Sequence, residues 1–313
     1  MPLVNTKLML SQAYRNGYAV GAFNVNNMET VQGVAQAAYE TGSPVIFQVS
    51  PGALKYAGHE FLVSLIKTAV EKTKIIAALH LDHGTSFELC RNCIDYGFTS
   101  VMIDGSEFSF EENIEITKNV VDYALTKNVS VEAELGRLSG VEEHVNDSKD
   151  ALYTNPEQAR EFIGRTGIHS LAVAIGTSHG INKFCHTTKP ELRFDILQKI
   201  ADLCPGFPLV LHGSSSITTE SIAQIGQYGT KLENAKGIPQ KIFCKAIKSA
   251  ICKINIDSDL RIAITSAIKK FMFNNPNAFD PRAYLLEARQ AIKELVKQKI
   301  IDILHSGSIH KVI

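Results

Sequence analysis

In the stretch IIAALHLDHG, residues 75–84, a mainly apolar run is followed by an aspartate, a histidine and a glycine. A short apolar run bounded by polar residues is typical of a strand buried in a parallel sheet. This run stops at Asp82, and His83 and Gly84 follow directly. Because parallel α/β proteins collect their chemistry at the carboxyl ends of strands, the stretch predicts a strand with a functional site at its end.

Seven similar runs lie along the chain, separated by segments of helical length. We predict eight strands, at Tyr18–Val25, Pro44–Ser50, Ile75–Asp82, Ser100–Asp104, Val129–Glu134, Ser170–Thr177, Pro208–Leu211 and Lys253–Ile256. This alternation indicates βαβ units and a parallel sheet. Eight units favour a closed (β/α)8 TIM barrel, and no glycine-rich G-x-G-x-x-G turn follows the first run, as a doubly wound nucleotide-binding sheet would require.

The pattern becomes helical after Leu260, with an interruption at residues 274–281. We interpret residues 1–313 as a single barrel domain in which 262–313 form a helical C-terminal extension. We expect that extension to cap the barrel or to form a dimer interface. The loops at 136–154 and 178–189 are long enough to act as lids.

Composition narrows the class of protein. The 32 Lys and Arg residues balance 32 Asp and Glu residues, so no net basic charge is present to attract nucleic acid or an anionic membrane. No secretory signal and no apolar run of membrane-spanning length is found, which predicts a cytoplasmic protein. Six cysteines show no disulfide framework, and Cys90 and Cys93 fall in a predicted helix at 86–96 as buried thiols.

Three histidines follow predicted strands, namely His83, His179 and His212. Any one of them alone would be read as a hydrogen-bonded structural histidine. Three imidazoles at the carboxyl ends of barrel strands converge on one cavity and leave a fourth position open, which predicts a catalytic zinc site. His80 shares its strand face with Asp82, so we expect it to point into the barrel and to form hydrogen bonds there.

Four acidic residues belong to the same predicted cavity. Asp82, beside a predicted ligand, has the position of a general acid/base, and the alternative is that it only orients a histidine. Asp104 and Glu134 end two strands, and are either partners of the ligands or ligands of a second or alternative metal position. Glu142 lies in a loop that could bring another carboxylate over the site.

Glycine and hydroxyl residues follow the last three strands, at 176–180, 213–216 and Ser258. Barrels often hold phosphate through backbone N–H groups in these positions, and Lys183 and Arg261 are nearby cations. A Schiff-base mechanism would need a desolvated lysine inside the barrel.

The one lysine in a predicted strand is Lys253. It stands at the expected start of strand eight, away from the site, so we favour a metal as the electron sink.

Nine motifs, in this order, resemble the class II fructose-bisphosphate aldolases of the shorter bacterial and protist type. They are AFNVNN, FQVSPGALKY, HLDHG, SVMIDGS, VEAELGRLSGVEE, DALYTNPEQA, AIGTSHG, LVLHGSSSI and KINIDSDLR, and the likeness extends from Leu3 to Arg282. The resemblance implies zinc-dependent, reversible cleavage of fructose 1,6-bisphosphate to dihydroxyacetone phosphate and glyceraldehyde 3-phosphate on a TIM barrel.

The resemblance also implies roles for individual residues. His83, His179 and His212 would bind zinc, Asp82 would be the proton donor at the aldehyde oxygen, and Glu142 would exchange the proton on the dihydroxyacetone phosphate carbon. The triose phosphate would be surrounded by Gly180, Lys183, Gly213, Ser215, Asn255, Asp257 and Ser258, with Asn24 and Ser50 touching the substrate.

For the distal end of the substrate, the resemblance implies that Arg261 is the cation for the second phosphate. Asp280 and Arg282 would come from the neighbouring subunit of a homodimer. The resemblance also implies a monovalent cation, Na⁺ or K⁺, near the loop that binds the triose phosphate.

Three other functions remain as alternatives. A tagatose-1,6-bisphosphate aldolase would share the metal and the barrel, but Asp257 within NIDSDLR favours the fructose enzyme. A zinc barrel hydrolase would use metal-bound hydroxide, which two sets of phosphate-binding residues disfavour. A non-catalytic binding protein on the same scaffold would not need Asp82 together with three histidines.

Overall fold

Eight parallel strands of the computed structural model close into a barrel. The structure describes residues 3–137, 139–140, 153–179, 192–232, 235 and 237–308, and at positions 139, 140, 178 and 179 it describes the backbone alone. The barrel strands are β1 Val20–Asn24, β2 Val45–Val49, β3 Ala77–Gly84, β4 Ser100–Ile103, β5 Ser130–Leu135, β7 Ser170–Val173, β9 Leu209–Leu211 and β10 Ile251–Ile256. All eight predicted strands and the closed barrel are therefore confirmed.

Two short strands were not predicted. They are β6 (Ser139–Gly140) and β8 (Ser178–His179), which pair with each other in parallel outside the barrel. Two-residue strands carry no periodicity from which a sequence pattern could identify them.

One helix, α1, precedes the first strand, and the other helices follow the barrel strands along the chain. They are α1 Thr6–Asn16, α2 Met28–Thr41, α3 Pro51–Ala57, α4 His59–Thr73, α5 Phe87–Asp95, α6 Phe110–Leu125, α7 Pro156–Thr166, α8 Phe194–Leu203, α9 Thr219–Gln227, α10 Gln240–Lys248, α11 Ser258–Asn274 and α12 Pro281–Lys299. A π-helical segment, Ile300–Leu304, continues α12. Within the described ranges, no helix is long and apolar enough to cross a bilayer.

Side-chain caps fix where several helices begin. The Asn27 side chain accepts a hydrogen bond from Thr30 N, and the Ser109 and Glu112 side chains bond reciprocally with each other's backbone N–H groups. Such caps satisfy donors that the first helical turn leaves without partners. The helix starts are thereby set close behind the strand ends, so the polar residues between them stay at the mouth of the barrel.

The barrel interior changes from apolar to polar along the strands. Along β3, Ala78, His80 and Asp82 alternate with Leu79 and Leu81, which belong to the core between the barrel and its helices. Ala78 packs in a cluster that closes the amino-terminal end, with Met9, Leu10 and Ala13 of α1 and Val20, Ala22 and Ile46 of the strands. His80, Gln48, Ser100, Glu132 and Lys253 are buried further along. His80 thus points into the barrel, as predicted.

The helices after β10 pack on the outside of the barrel. α11 begins at Ser258, slightly before the predicted helical region, and it ends at Asn274, where an interruption was expected. α12 lies against α2 so closely that a Cβ atom on Gly33 would come 2.6 Å from Ile292 Cγ2. The single-domain interpretation and a role of 262–313 in dimerisation stay predictions.

Candidate active site

A bulge at the end of β3 brings two consecutive side chains to the barrel mouth. In a regular strand, neighbours point to opposite faces. Here the pairing of β3 with β4 shifts register between Leu81 and Gly84, and His83 has a φ of 47°. A Cβ on Gly84 would lie 2.5 Å from Met102 O, so the chain requires glycine at this close approach. Asp82 and His83 can therefore both serve one site.

His83 and His212 face each other across the mouth. Their rings are nearly perpendicular, at 87°, with His83 Nε2 and His212 Nδ1 2.9 Å apart. The outer nitrogens are held by carboxylates: His83 Nδ1 is 2.8 Å from Asp104 Oδ2, and His212 Nε2 is 2.8 Å from Glu132 Oε1. Carboxylates that bind the outer nitrogen in this way are characteristic of metal-ligating histidines.

The same contacts indicate where the imidazole protons reside. A neutral imidazole donates from one nitrogen and accepts at the other, and a carboxylate can only accept. The outer nitrogens are accordingly the donors, which leaves lone pairs on both inner nitrogens. Asn255 Nδ2, a donor, lies 3.2 Å from His212 Nδ1 and 3.4 Å from His212 Nε2, so it is closer to the nitrogen assigned as the acceptor. An imidazole nitrogen with a lone pair can bind a cation, and these two nitrogens lie 2.9 Å apart.

Asp82 lies beside this histidine pair. It is 4% exposed, and its two carboxylate oxygens accept hydrogen bonds from Asn24 Nδ2 at 3.0 Å and from Asn255 Nδ2 at 3.2 Å. Its potential ligand atom lies within 4.8 Å of those of His83 and His212. The carboxylate is held in place at the mouth, where it can act on a substrate proton or contact a metal.

A second group of potential ligands surrounds His83. Ligand atoms of His83, Asp104 and Glu134 also lie within 4.8 Å of one another, and Glu134 Oε2 is 3.9 Å from His83 Nδ1. Burial would raise the pKa of Asp104, but its hydrogen bond and charge interaction with His83 hold that pKa below the ordinary value. Both predicted roles of Asp104 and Glu134, as partners of His83 or as another metal position, are compatible with this geometry.

A buried ionic network supports the site from below. Lys253 Nζ lies 2.9 and 3.0 Å from the two carboxylate oxygens of Glu132 and 3.2 Å from His80 Nε2, while Ser100 Oγ is 2.7 Å from His80 Nδ1. Burial favours the neutral form of Glu132, but the Lys253 ammonium and the His212 hydrogen bond lower its pKa below the ordinary value. Burial and the Lys253 charge lower the pKa of His80 well below its usual value.

The placement of Lys253 corrects one expectation. It does not stand at the start of its strand, because β10 begins two residues earlier at Ile251, and its side chain is fully buried inside the barrel. Its amine contacts Glu132 and His80 directly beneath the histidine pair. The position of Lys253 was therefore wrong, and its ion pair with Glu132, rather than its distance from the site, separates it from a Schiff-base lysine.

Glu132 is the residue that the sequence pattern missed. A signal was available, since it precedes Glu134 by two positions and must share its strand face.

The loop of residues 213–216, which was predicted to bind phosphate and is called here the phosphate loop, follows β9. Gly213 has a φ of 58°, and Ser214 Oγ donates to Leu211 O and Asn255 O at 3.0 Å each. Ser216 N donates to Asp259 Oδ2, 3.2 Å away, in the first turn of α11. The loop thus lies next to the amino-terminal end of α11, where Ser258 is the first helical residue.

The remaining predicted residues are divided between the mouth and the surface. Arg261 forms two contacts of 2.8–2.9 Å with the Asp257 carboxylate, and Ser50 caps α3 through Ala53 N. Asp280 and Arg282 pair with each other at the start of α12, where the Arg282 side chain is 89% exposed.

Cys90 and Cys93 are buried free thiols, as predicted. Glu142, Gly180, Lys183 and the His179 side chain lie outside the described residues.

A closed parallel barrel with histidines and carboxylates at one mouth has the architecture of a metal-dependent barrel enzyme. Comparison with known proteins gives the family. The model of the family described as "Fructose-bisphosphate aldolase class-II" matches residues 4–308. A fructose-bisphosphate aldolase of Treponema pallidum is 46% identical, over 97% of each chain, and one of Giardia intestinalis is 48% identical, over 96% of this chain and 92% of that protein.

A solved structure agrees with these relatives. The YdjI aldolase of Escherichia coli K12 superposes with a TM-score of 0.80 at 34% identity, covering 98% of this chain and 99% of that one. The chain belongs to the class II fructose-bisphosphate aldolase family. It is an aldolase, a carbon–carbon lyase, and membership of class II implies a metal cofactor.

Proposed function

We propose that this aldolase cleaves fructose 1,6-bisphosphate to dihydroxyacetone phosphate and glyceraldehyde 3-phosphate and catalyses the reverse condensation, with zinc bound by His83, His179 and His212. The observation that carries the proposal is the convergence of His83 Nε2 and His212 Nδ1, 2.9 Å apart, beside Asp82. Nitrogen donors oriented by carboxylates suit Zn²⁺, and three protein ligands leave a coordination position for substrate.

His179 is the proposed third ligand. Its backbone lies in β8, beyond the carboxyl end of β7, and so on the side of the barrel where His83 and His212 end their strands. A zinc ion bound to the three histidines would supply a Lewis acid that withdraws electron density from the ketose carbonyl group. Asp104 and Glu134 remain candidates for a second or alternative metal position.

Asp82 is the proposed acid/base for the bond-breaking step. In cleavage it accepts the proton of the C4 hydroxyl while the C3–C4 bond breaks and its electron pair passes to the dihydroxyacetone phosphate half. In condensation it returns that proton to the aldehyde oxygen. Hydrogen bonds from Asn24 and Asn255 to its two oxygens support this role, because they hold the carboxylate in one orientation. Glu142 is proposed to protonate the dihydroxyacetone phosphate carbon.

The triose phosphate end is proposed to lie in the phosphate loop. Backbone N–H groups at the start of a helix bind anions, and α11 begins beside this loop. The Asn255 Oδ1 and Gln48 Oε1 atoms are buried without a hydrogen-bond partner in the described part of the chain, so both can receive substrate hydroxyl groups. The proposed contacts are Gly213, Ser215, Asn255, Asp257, Ser258, Asn24 and Ser50, together with Gly180, Lys183 and a monovalent cation, Na⁺ or K⁺.

Arg261 is proposed to bind the distal phosphate. It already forms a fork-shaped contact with Asp257, the geometry that guanidinium groups also use for phosphate. Asp280 and Arg282 are proposed to reach the site of a second subunit in a homodimer, which the exposure of the Arg282 side chain supports. We further propose a cytoplasmic location.

The decisive experiment is to incubate the purified protein with fructose and tagatose 1,6-bisphosphate while measuring triose phosphate formation. We expect faster cleavage of the fructose epimer, loss of activity with EDTA, and recovery with Zn²⁺. Preference for the tagatose epimer would overturn the substrate assignment. Release of inorganic phosphate without triose phosphate would indicate a hydrolase, and binding without turnover would indicate a non-catalytic protein.

A further inference from the structure

A buried ion pair connects the end of α12 with the start of α11. Lys299 Nζ lies 2.5 Å from Asp259 Oδ1 and also hydrogen-bonds to Ser216 Oγ in the phosphate loop. The Lys299 and Asp259 side chains are only 6% and 3% exposed. Lysine side chains ordinarily keep the ammonium group in water. The burial of Lys299 therefore sets it apart among the lysines of this helix.

Lys297, two residues earlier in α12, shows the ordinary arrangement. Its ammonium group lies 2.7 Å from Glu40 on the surface, and its side chain is 30% exposed. The two lysines share one helix turn and differ in what they contact, so Lys297 provides a matched control for Lys299.

Lys299 and Asp259 together hold both polar groups of Ser216. Asp259 Oδ2 accepts from Ser216 N at 3.2 Å, while Lys299 donates to Ser216 Oγ. On its other side the chain is confined by the segment at 237–238. Ile238 N donates to Ser215 O at 2.9 Å, and a Cβ on Gly237 would lie 2.1 Å from Ile217 N. The carboxyl-terminal end of the phosphate loop is thus fixed from two directions.

The kind of interaction suggests a positional role rather than a purely stabilising one. A buried ion pair is often no more stabilising than well-packed apolar residues, because both charges must leave water. It does, however, impose a defined geometry on the groups that it joins. The helix also changes to π-helical geometry at Ile300, directly after Lys299, and such irregularities occur frequently at functional sites.

We propose that Lys299 is a positioning residue which, through Asp259 and Ser216, sets the phosphate loop in the place where it binds the triose phosphate group. The inference rests on the proposed function in one respect, namely that the phosphate loop contacts that phosphate. It assigns to the last helix a part in substrate binding that requires no contact between Lys299 and the substrate.

The test is the Lys299→Met variant, with Lys297→Met as control. Exchange of the carbon-bound proton with solvent is measured for dihydroxyacetone phosphate and for dihydroxyacetone, which lacks the phosphate. In Lys299→Met we expect KM for dihydroxyacetone phosphate to rise by about ten- to a hundredfold, the usual effect of displacing a group that a distant residue supports. Exchange of dihydroxyacetone and zinc content should not change, and Lys297→Met should match the wild type.

Two further variants address stability and charge. Lys299→Arg, which retains the positive charge, should recover a large part of the lost affinity. If Lys299→Met does not fold, the double variant Lys299→Met with Asp259→Asn removes both charges and keeps an amide oxygen for Ser216 N. It should show the same rise in KM. An unchanged KM for dihydroxyacetone phosphate in a folded variant lacking Lys299 would overturn the proposal.

Gly213→Ala separates this inference from the function on which it rests. Gly213 has a left-handed φ of 58°, so alanine there should distort the phosphate loop directly. If Gly213→Ala leaves KM for dihydroxyacetone phosphate unchanged, the loop does not bind phosphate and both proposals fail. If Gly213→Ala raises KM and loss of Lys299 does not, the phosphate site stands and only the role of Lys299 is rejected.

Discussion

His83 Nε2 and His212 Nδ1 lie 2.9 Å apart, although the two residues are separated by 129 positions in the chain. Each ring is oriented by its own carboxylate: Asp104 contacts the outer nitrogen of His83, and Glu132 contacts the outer nitrogen of His212. A pair of imidazoles held in this way would need little rearrangement to receive an ion.

Replacing His83 or His212 by Ala should reduce bound zinc well below one ion per chain and abolish cleavage. With only three protein ligands, the loss of one leaves too few donors to retain the ion. Metal analysis of the purified variants and the triose phosphate assay check this. His59→Ala, which removes a ring stacked on Tyr96, should keep both zinc and activity. Stoichiometric zinc in either site variant would remove that histidine from the ligand set.

Asp82→Ala should keep the metal but lower kcat by about 10²–10⁴, the usual range for loss of a general acid/base. The carboxylate accepts hydrogen bonds from Asn24 and Asn255, and we assign it to the proton at C4 rather than to ligation. Metal content and kcat are measured on the same preparation. A loss of zinc that parallels the loss of kcat would mean that Asp82 serves the metal instead.

Glu132→Gln should weaken zinc binding about 10–100-fold, because the variant no longer holds His212 Nε2 with a charged acceptor. It should also lower the free energy of unfolding by about 3–5 kcal/mol, since Lys253 is left as an uncompensated buried charge.

The double variant Glu132→Gln with Lys253→Met separates these two effects. Removing the second charge should recover most of the stability while zinc affinity stays low. Zinc titration and urea unfolding measure the two quantities. If affinity returns together with stability, the role of Glu132 is structural.

Arg261→Lys should raise KM for fructose 1,6-bisphosphate and leave proton exchange of dihydroxyacetone phosphate nearly unchanged. Lysine cannot reproduce the planar fork with which Arg261 contacts Asp257 and, as proposed, the distal phosphate. The exchange reaction does not involve that phosphate. Comparable losses in both reactions would place Arg261 at the triose phosphate end.

Asp257→Ala should reduce the preference for fructose over tagatose bisphosphate by more than it reduces zinc binding. The two sugars differ in configuration at C4, so discrimination depends on groups that read that hydroxyl or fix the distal phosphate. Asp257 contacts Arg261 directly, so its loss also removes this contact from the guanidinium group. The ratio of kcat/KM for the two epimers is the measurement, and an unchanged ratio would exclude Asp257 from selection.

Apolar periodicity was sufficient to predict the barrel, because each strand forms a short apolar run with a polar residue at its carboxyl end. The same pattern predicted that Asp82, His83 and His212 lie at one mouth of the barrel. In the structure their potential ligand atoms lie within 4.8 Å of one another. The pattern could not show that a bulge at Gly84 turns two consecutive side chains the same way. That feature depends on the close approach of Met102 O to Gly84.

The sequence also could not show how far along the barrel axis each buried side chain lies. Lys253 was predicted at the start of its strand, whereas the strand begins two residues earlier, because Ile251 and Cys252 offer no turn signal to mark that start. Its partner Glu132 was overlooked for a related reason. Two residues on the same strand face look alike in sequence, and only the assembled barrel shows that one faces His212 and the other His83.

The charges around the histidine pair have a consequence for the metal-free protein. Among the described residues, four carboxylates, on Asp82, Asp104, Glu132 and Glu134, lie around the pair together with the Lys253 ammonium group, so these five groups carry a formal charge of 1 − 4 = −3. Like charges repel strongly in a poorly solvated interior. A divalent ion relieves most of that repulsion, so the apoprotein should melt at a lower temperature than the zinc-loaded protein, and the site should attract cations electrostatically before any coordination bond forms.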